Sequence, residues 1–100
     1  MNNPFLNKKY KIIDIKDKKN NKTRIDGRYP QRIGSIVNFY LKPLVGSSCC
    51  INYLFDNQGE EKSGTLITSI VTNISSNKKE VIIDTLNSIY ILKEVGEIYD

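Results

Sequence analysis

Histidine and tryptophan are absent from this 100-residue chain, cysteine occurs twice, proline three times and methionine once. Each scarcity excludes something. Without histidine the commonest metal ligand and the commonest general base are both missing, and with them most routes to a metal centre or a catalytic triad. The two cysteines, Cys49 and Cys50, are sequence neighbours. In an extended chain neighbours point to opposite faces, so the pair is poorly placed to bridge or to share one metal, and it reads as strand cysteines of a reducing compartment. No apolar run reaches the ~20 residues of a membrane span, and the opening "MNNPFLNKKYK" has no apolar stretch of signal-peptide length. No glycine-rich phosphate loop is present. The expectation is a soluble protein of the cytoplasm, with no cofactor, no metal and no membrane partner.

What is present describes one small domain. A chain of 100 residues buries roughly two thirds of the surface its unfolded form exposes, enough for one modest core, so residues 1–100 are expected to form a single domain ordered over about 8–95. Hydrophobic residues make up 39% and aromatics 9% of the sequence, a globular composition rich in isoleucine, asparagine and lysine. The net charge of +4 hides an asymmetry. Residues 1–50 hold eleven Lys or Arg against three Asp, a balance of +8, whereas residues 51–100 hold four Lys against eight acids, a balance of −4. Either the two halves attract one another across the fold, or a basic face in the first half receives an anion: a nucleotide, a nucleic acid or an acidic protein surface.

The pattern along the chain is β almost throughout. Residues 10–15 ("YKIIDI") are a β-branched run closed by a polar turn containing Asn20 and Asn21. Residues 33–41 alternate Val37, Phe39 and Leu41 against Ile36, Asn38 and Tyr40, which predicts a strand ended by Pro43 and Gly46. Residues 49–55 place Cys49, Ile51, Tyr53 and Phe55 on one side. Residues 65–74 ("TLITSIVTNI") are ambiguous, because Leu66, Ile67, Ile70, Val71 and Ile74 also fit a helical stripe. The content of isoleucine and threonine favours a strand, with a helical turn at "TSIV" allowed. Residues 80–85 and 88–95 read as two strands of a tight hairpin about Leu86 and Asn87, with Asn87 able to take positive φ at modest cost. "GEIYD" at the C-terminus is expected to fray. Five to six short strands joined by polar turns predict an all-β fold, a small antiparallel barrel of the SH3-like or OB-like kind. The alternative is an α+β roll with one short helix at 64–74.

Every arginine of the chain lies in "KTRIDGRYPQRIG", residues 22–34. Proline fixes its own φ and biases Tyr29 toward an extended shape, so this segment is expected to be a stiffened loop presenting Arg24, Arg28 and Arg32. Guanidinium matches two phosphate oxygens at once and also stacks on a ring. Alternatively Arg28 pairs with Asp26 or an acid of the second half, and Arg32 packs along Tyr29.

Three stretches, "RYPQRIGSIV", "SGTLITSIVTNI" and "IDTLNSIYIL", resemble small β-rich proteins of bacteriophages and related mobile elements of AT-rich Gram-positive hosts. The pattern is Arg28, Tyr29, Arg32, Ile33 and Gly34; then Gly64, Thr68, Ser69 and Val71; then Thr85, Asn87, Ser88 and Tyr90, across about residues 10–95. The resemblance implies a binding protein that sequesters a host component, nucleotide signals of antiviral defence included.

Thr68, Ser69, Asn87 and Ser88 add groups that read a base edge or a ribose hydroxyl, or that satisfy turns and strand ends. Tyr29, Tyr40, Tyr53 and Tyr90 stack on bases or fill the core and rim. The lysines between 16 and 22 are a solvated turn or a phosphate-tracking arm. Asp56, Glu60 and Glu61 are explained by a hydrophilic loop as well as by metal ligation. The expectation is a non-enzymatic anti-defence protein, a homo-oligomer that holds a small anionic nucleotide on Arg24, Arg28, Tyr29, Arg32, Thr68, Ser69, Asn87, Ser88 and Tyr90. Its rivals are a single-stranded nucleic-acid binding module and an inhibitor that docks on an acidic host protein.

Overall fold

The computed structural model describes residues 8–97. They form six antiparallel strands and one helical turn: β1 (Lys8–Asp17), α1 (Tyr29–Arg32), β2 (Ile36–Asn38), β3 (Ser48–Phe55), β4 (Thr65–Asn77), β5 (Glu80–Thr85) and β6 (Ser88–Glu97). Each strand pairs with the next in the chain and β6 returns to β1, closing an up-and-down barrel. The expected all-β barrel is what forms, and the alternative helix at 64–74 is not. Gly96 and Glu97 of the expected fraying tail belong to β6, while residues 98–100 lie outside the described residues, as do residues 1–7 of the expected single domain.

The inward faces carry the core. Ile12, Ile15, Val37, Ile51, Ile83 and Leu92 are completely buried, and the Tyr10 and Phe39 rings meet edge to face with centroids 5.4 Å apart. Each such aliphatic side chain contributes about 1.5–3 kcal/mol, and the ring pair about 0.5–1.5 kcal/mol beyond its burial. Cys49 is buried and Cys50 exposed, as alternation requires, and burial pushes the Cys49 thiol up to about 12.

Two elements depart from the expectation. β2 is only Ile36–Asn38: Val37 and Phe39 point inward, but Asn38 is buried as well and Leu41 is 74% exposed. Gly34, at φ +96°, starts this strand late by turning the chain out of α1. The β5–β6 hairpin does not use Asn87 at positive φ, since among the described residues only Asn21 and Lys78 do so without being glycine. Instead the buried Thr85 hydroxyl closes the turn. Thr85 Oγ1 accepts from the N–H of Ser88 (3.0 Å) and donates to the carbonyl of Ser88 (2.9 Å).

The two oppositely charged halves do meet. Lys8 Nζ lies 3.1 Å from Glu94, and Lys18 Nζ lies 2.7 Å from Asp84. Part of the charge asymmetry is therefore spent inside the molecule.

Candidate functional site

Residues 22–34 leave β1, run back beside it and cross to β2. Thr23 bridges Lys16 and the Arg24 N–H donates to the Ile15 carbonyl at 2.8 Å, so the return path is tied to the barrel wall. Gly27, at φ +55°, then reverses the chain into α1. The segment is a helical turn and not the expected extended loop, with Tyr29 as its first residue. Pro30 fits there because amide donors of a first turn have no partner to lose. The Gly34 N–H reaches the Ile12 carbonyl at 2.7 Å, and a Cβ on Gly34 would stand 3.0 Å from Asn57 Cβ. Tyr29 and Ile33 pack against the core, anchoring the turn on the barrel.

The three arginines go to different places. Arg24 is consumed by its own molecule: Nε and Nη2 donate to the two oxygens of Asp26 (3.1 and 2.8 Å), and Nη1 donates to Ser88 Oγ (2.9 Å) and the Asn87 carbonyl (3.1 Å). Its guanidinium carbon also lies 4.1 Å from the centre of the Tyr29 ring. The hydrogen bond from Arg24 holds the Asp26 carboxyl below its ordinary range. Arg32 lies along the same ring at 4.9 Å, and its charge works against the upward pKa shifts of the Tyr53 and Tyr90 hydroxyls. Arg28 is exposed, and among the described residues it has no carboxylate partner, Asp26 being taken by Arg24.

Arg28 and Arg32 share a hollow of 350 Å³ that opens between α1 and the start of β4. Its remaining wall is Gln31, Tyr53 and residues 62–67, which bring in Lys62 and no acid at all. Lys62 Nζ stands 4.1 Å from the centre of the Tyr53 ring. Among the described residues neither Arg32 nor Lys62 has a carboxylate within ion-pair distance. Gly64, at φ +113°, has nothing within 4 Å of a notional Cβ, so the wall there is bare backbone. Three cations thus face one hollow, none with a carboxylate within ion-pair distance among the described residues, although the Lys62 charge helps to hold the Asp56 carboxyl down.

The tyrosines around Arg32 are donors, not bases. Burial pushes the Tyr90 hydroxyl up to about 12 and Tyr53 upward as well, with Arg32 opposing both shifts. Both hydroxyls stay protonated at neutral pH.

The other expected site residues are elsewhere. Thr68 and Ser69 lie on β4 beyond the hollow. The buried Thr68 hydroxyl accepts from the Cys49 N–H (2.9 Å) and donates to the Ser69 carbonyl (2.7 Å), filling a gap where the β3–β4 register shifts. Asn87 and Ser88 anchor Arg24, and Tyr90 is 97% buried behind Arg32. Asp56 is occupied as a turn cap, its Oδ1 accepting from the N–H groups of Gln58 (2.9 Å) and Glu60 (3.0 Å). The site residues that were not expected are Lys62 and its neighbours, hidden in a stretch that reads as a hydrophilic turn. The signal was Gly64 beside a lone lysine.

No helix of the described residues is long and apolar enough to cross a membrane. Comparison with protein-family models, with curated proteins and with solved structures gives no match.

Proposed function

We propose that this chain binds a small anionic ligand of the nucleotide type and does not transform it. The observation that carries the reading is the acid-free hollow faced by Arg28, Arg32 and Lys62. Unpaired guanidinium groups on a rigid barrel are pre-organised for phosphoryl oxygens, and each charge-assisted hydrogen bond is worth about 1.5–3 kcal/mol. A ligand of this size matches a pocket of several hundred cubic ångströms. The non-enzymatic reading is supported by the hydroxyls beside Arg32, which hold their protons where a nucleophile or base would need to lose them.

In the phage setting that the sequence motifs resemble, such binding would withdraw a nucleotide signal of host defence within the host cytoplasm. The same reading carries a homo-oligomer. Its seam would run over the outer face of β4, where Ile67 and Ile70 are 66% and 45% exposed and Ile67 walls the hollow.

Isothermal titration against mononucleotides, linear and cyclic dinucleotides and oligonucleotides tests this. Saturable binding of a mononucleotide or dinucleotide is expected, weakened about tenfold or more by Arg28→Ala and by Arg32→Ala, with the Arg28 variant keeping the parent's thermal midpoint. Affinity that climbs with oligonucleotide length and collapses with salt would instead mark a single-strand binder. Indifference to both arginine substitutions would remove the site.

A further inference from the structure

The hollow is one end of a longer depression. Tyr53 and residues 62–65 wall both the hollow and a wider groove of 850 Å³, which continues past Tyr40, Leu54 and Phe55 to Glu61 and Lys9. The chemistry changes along its length. At the Arg28 end there are three cations and no acid. The groove beyond shares Tyr53 and Lys62 with the hollow and adds Tyr40 (72% exposed), Phe55, a further lysine, Lys9, and the carboxylate that the hollow lacks, Glu61, which has no cation within ion-pair distance among the described residues.

That gradient selects a ligand with two unlike ends. A ligand anionic throughout, such as pyrophosphate or polyphosphate, would lay charge against Glu61 and the ring faces, whose quadrupole repels anions. A flat, neutral heterocycle gains there instead: its π-face stacks on a tyrosine, and a carboxylate accepts hydrogen bonds from an exocyclic amino group.

Resting on the nucleotide reading above, we propose that the groove is the base-binding half of the site and that the ligand class is nucleotides with an amino-bearing base. Phosphate occupies the hollow on Arg28 and Arg32. The base lies in the groove against Tyr40, because Lys62 Nζ already stands 4.1 Å from the centre of the Tyr53 ring, and Glu61 accepts from the base's amino N–H. Lys62, over the Tyr53 ring, stands where the two halves join. Adenine, guanine and cytosine satisfy this arrangement. Uracil and thymine present a carbonyl where the amino group is needed, so Glu61 meets a repelling oxygen there and only the ring N3–H beside it can donate.

Titration of the full chain with ribose 5-phosphate, inorganic pyrophosphate, AMP, GMP, CMP and UMP tests the assignment. At least one amino-bearing nucleotide is expected to bind about tenfold or more tightly than ribose 5-phosphate and than UMP. Tyr40→Ala should bring that nucleotide close to ribose 5-phosphate while leaving ribose 5-phosphate itself unchanged. Because Tyr40 is exposed, the variant's thermal midpoint should match the parent's. Glu61→Gln should erase the preference over UMP. If ribose 5-phosphate binds through Arg28 and all four nucleotides merely equal it, the base groove is refuted and the phosphate hollow survives. Should none of the six bind, the nucleotide reading itself falls, and the base groove with it.

Discussion

Arg24 and Arg28 are four residues apart, and their removal is expected to leave opposite signatures. Arg24 holds Asp26, Ser88 and the Asn87 carbonyl together under the Tyr29 ring, with its side chain 15% exposed. Arg24→Ala is expected to cost about 1–2 kcal/mol in urea unfolding, whereas Arg28→Ala, with no internal partner to lose among the described residues, changes ligand affinity instead. Acid sensitivity also belongs at this scale. Backbone donors from Glu60 and Gln58 hold the Asp56 carboxyl below its ordinary 3.8. A carboxyl depressed on folding stabilises the native state above its unfolded value, and that contribution is lost as pH falls through the lower native value. The unfolding midpoint should therefore drop below about pH 4, and Asp56→Asn should flatten that limb. The arginine cluster was legible as a cluster of cations. Arg32 packing along Tyr29 was legible as an alternative, but the capture of Arg24 was not, because Ser88 and Asn87 come to it from the opposite end of the chain.

β4 shows how an element misleads. Leu66 and Thr68 point inward, and so does Val71, because β4 has one residue more than β3 between the pairs Cys50↔Ile67 and Ser48↔Ile70. A bulge shifts the inward parity by one, and a strand so shifted imitates the three-or-four spacing of a helix. The same happens in β1, where Ile12 and Ile15 are both buried across a register shift and Ile13 is 43% exposed. Strand identity was recoverable from β-branched content, while the bulges are set by barrel closure and leave no local mark. The β5–β6 connection was placed correctly and its mechanism was not, since a buried hydroxyl replaces a left-handed residue. Thr85→Val keeps the shape and strips the Ser88 N–H and carbonyl of their partner. The expected loss is about 1–3 kcal/mol, read from urea unfolding, and a loss under 0.5 kcal/mol would deny the hydroxyl this part.

For the whole molecule, closure decides both the fold and where the site sits. The class of fold was legible from strand count and turn chemistry; the seam was not, because β1 and β6 are the most distant strands in sequence. The hollow likewise draws on α1, β3 and β4, with β6 behind it, so only the closed barrel assembles it. An all-β barrel whose final seam joins the two ends of the chain predicts refolding in milliseconds to seconds by stopped-flow; relaxation faster than about 100 μs would contradict the closed seam.

The β1–β6 seam has a further consequence for synthesis. A nascent chain leaving the ribosome tunnel can pair its first strand with β2, but the other edge of that strand stays open until β6 emerges, and other chains could pair with it. Overproduced protein should accordingly be lost to inclusion bodies mainly during translation, and slowing synthesis by cooling should recover more of it than adding any binding partner afterwards.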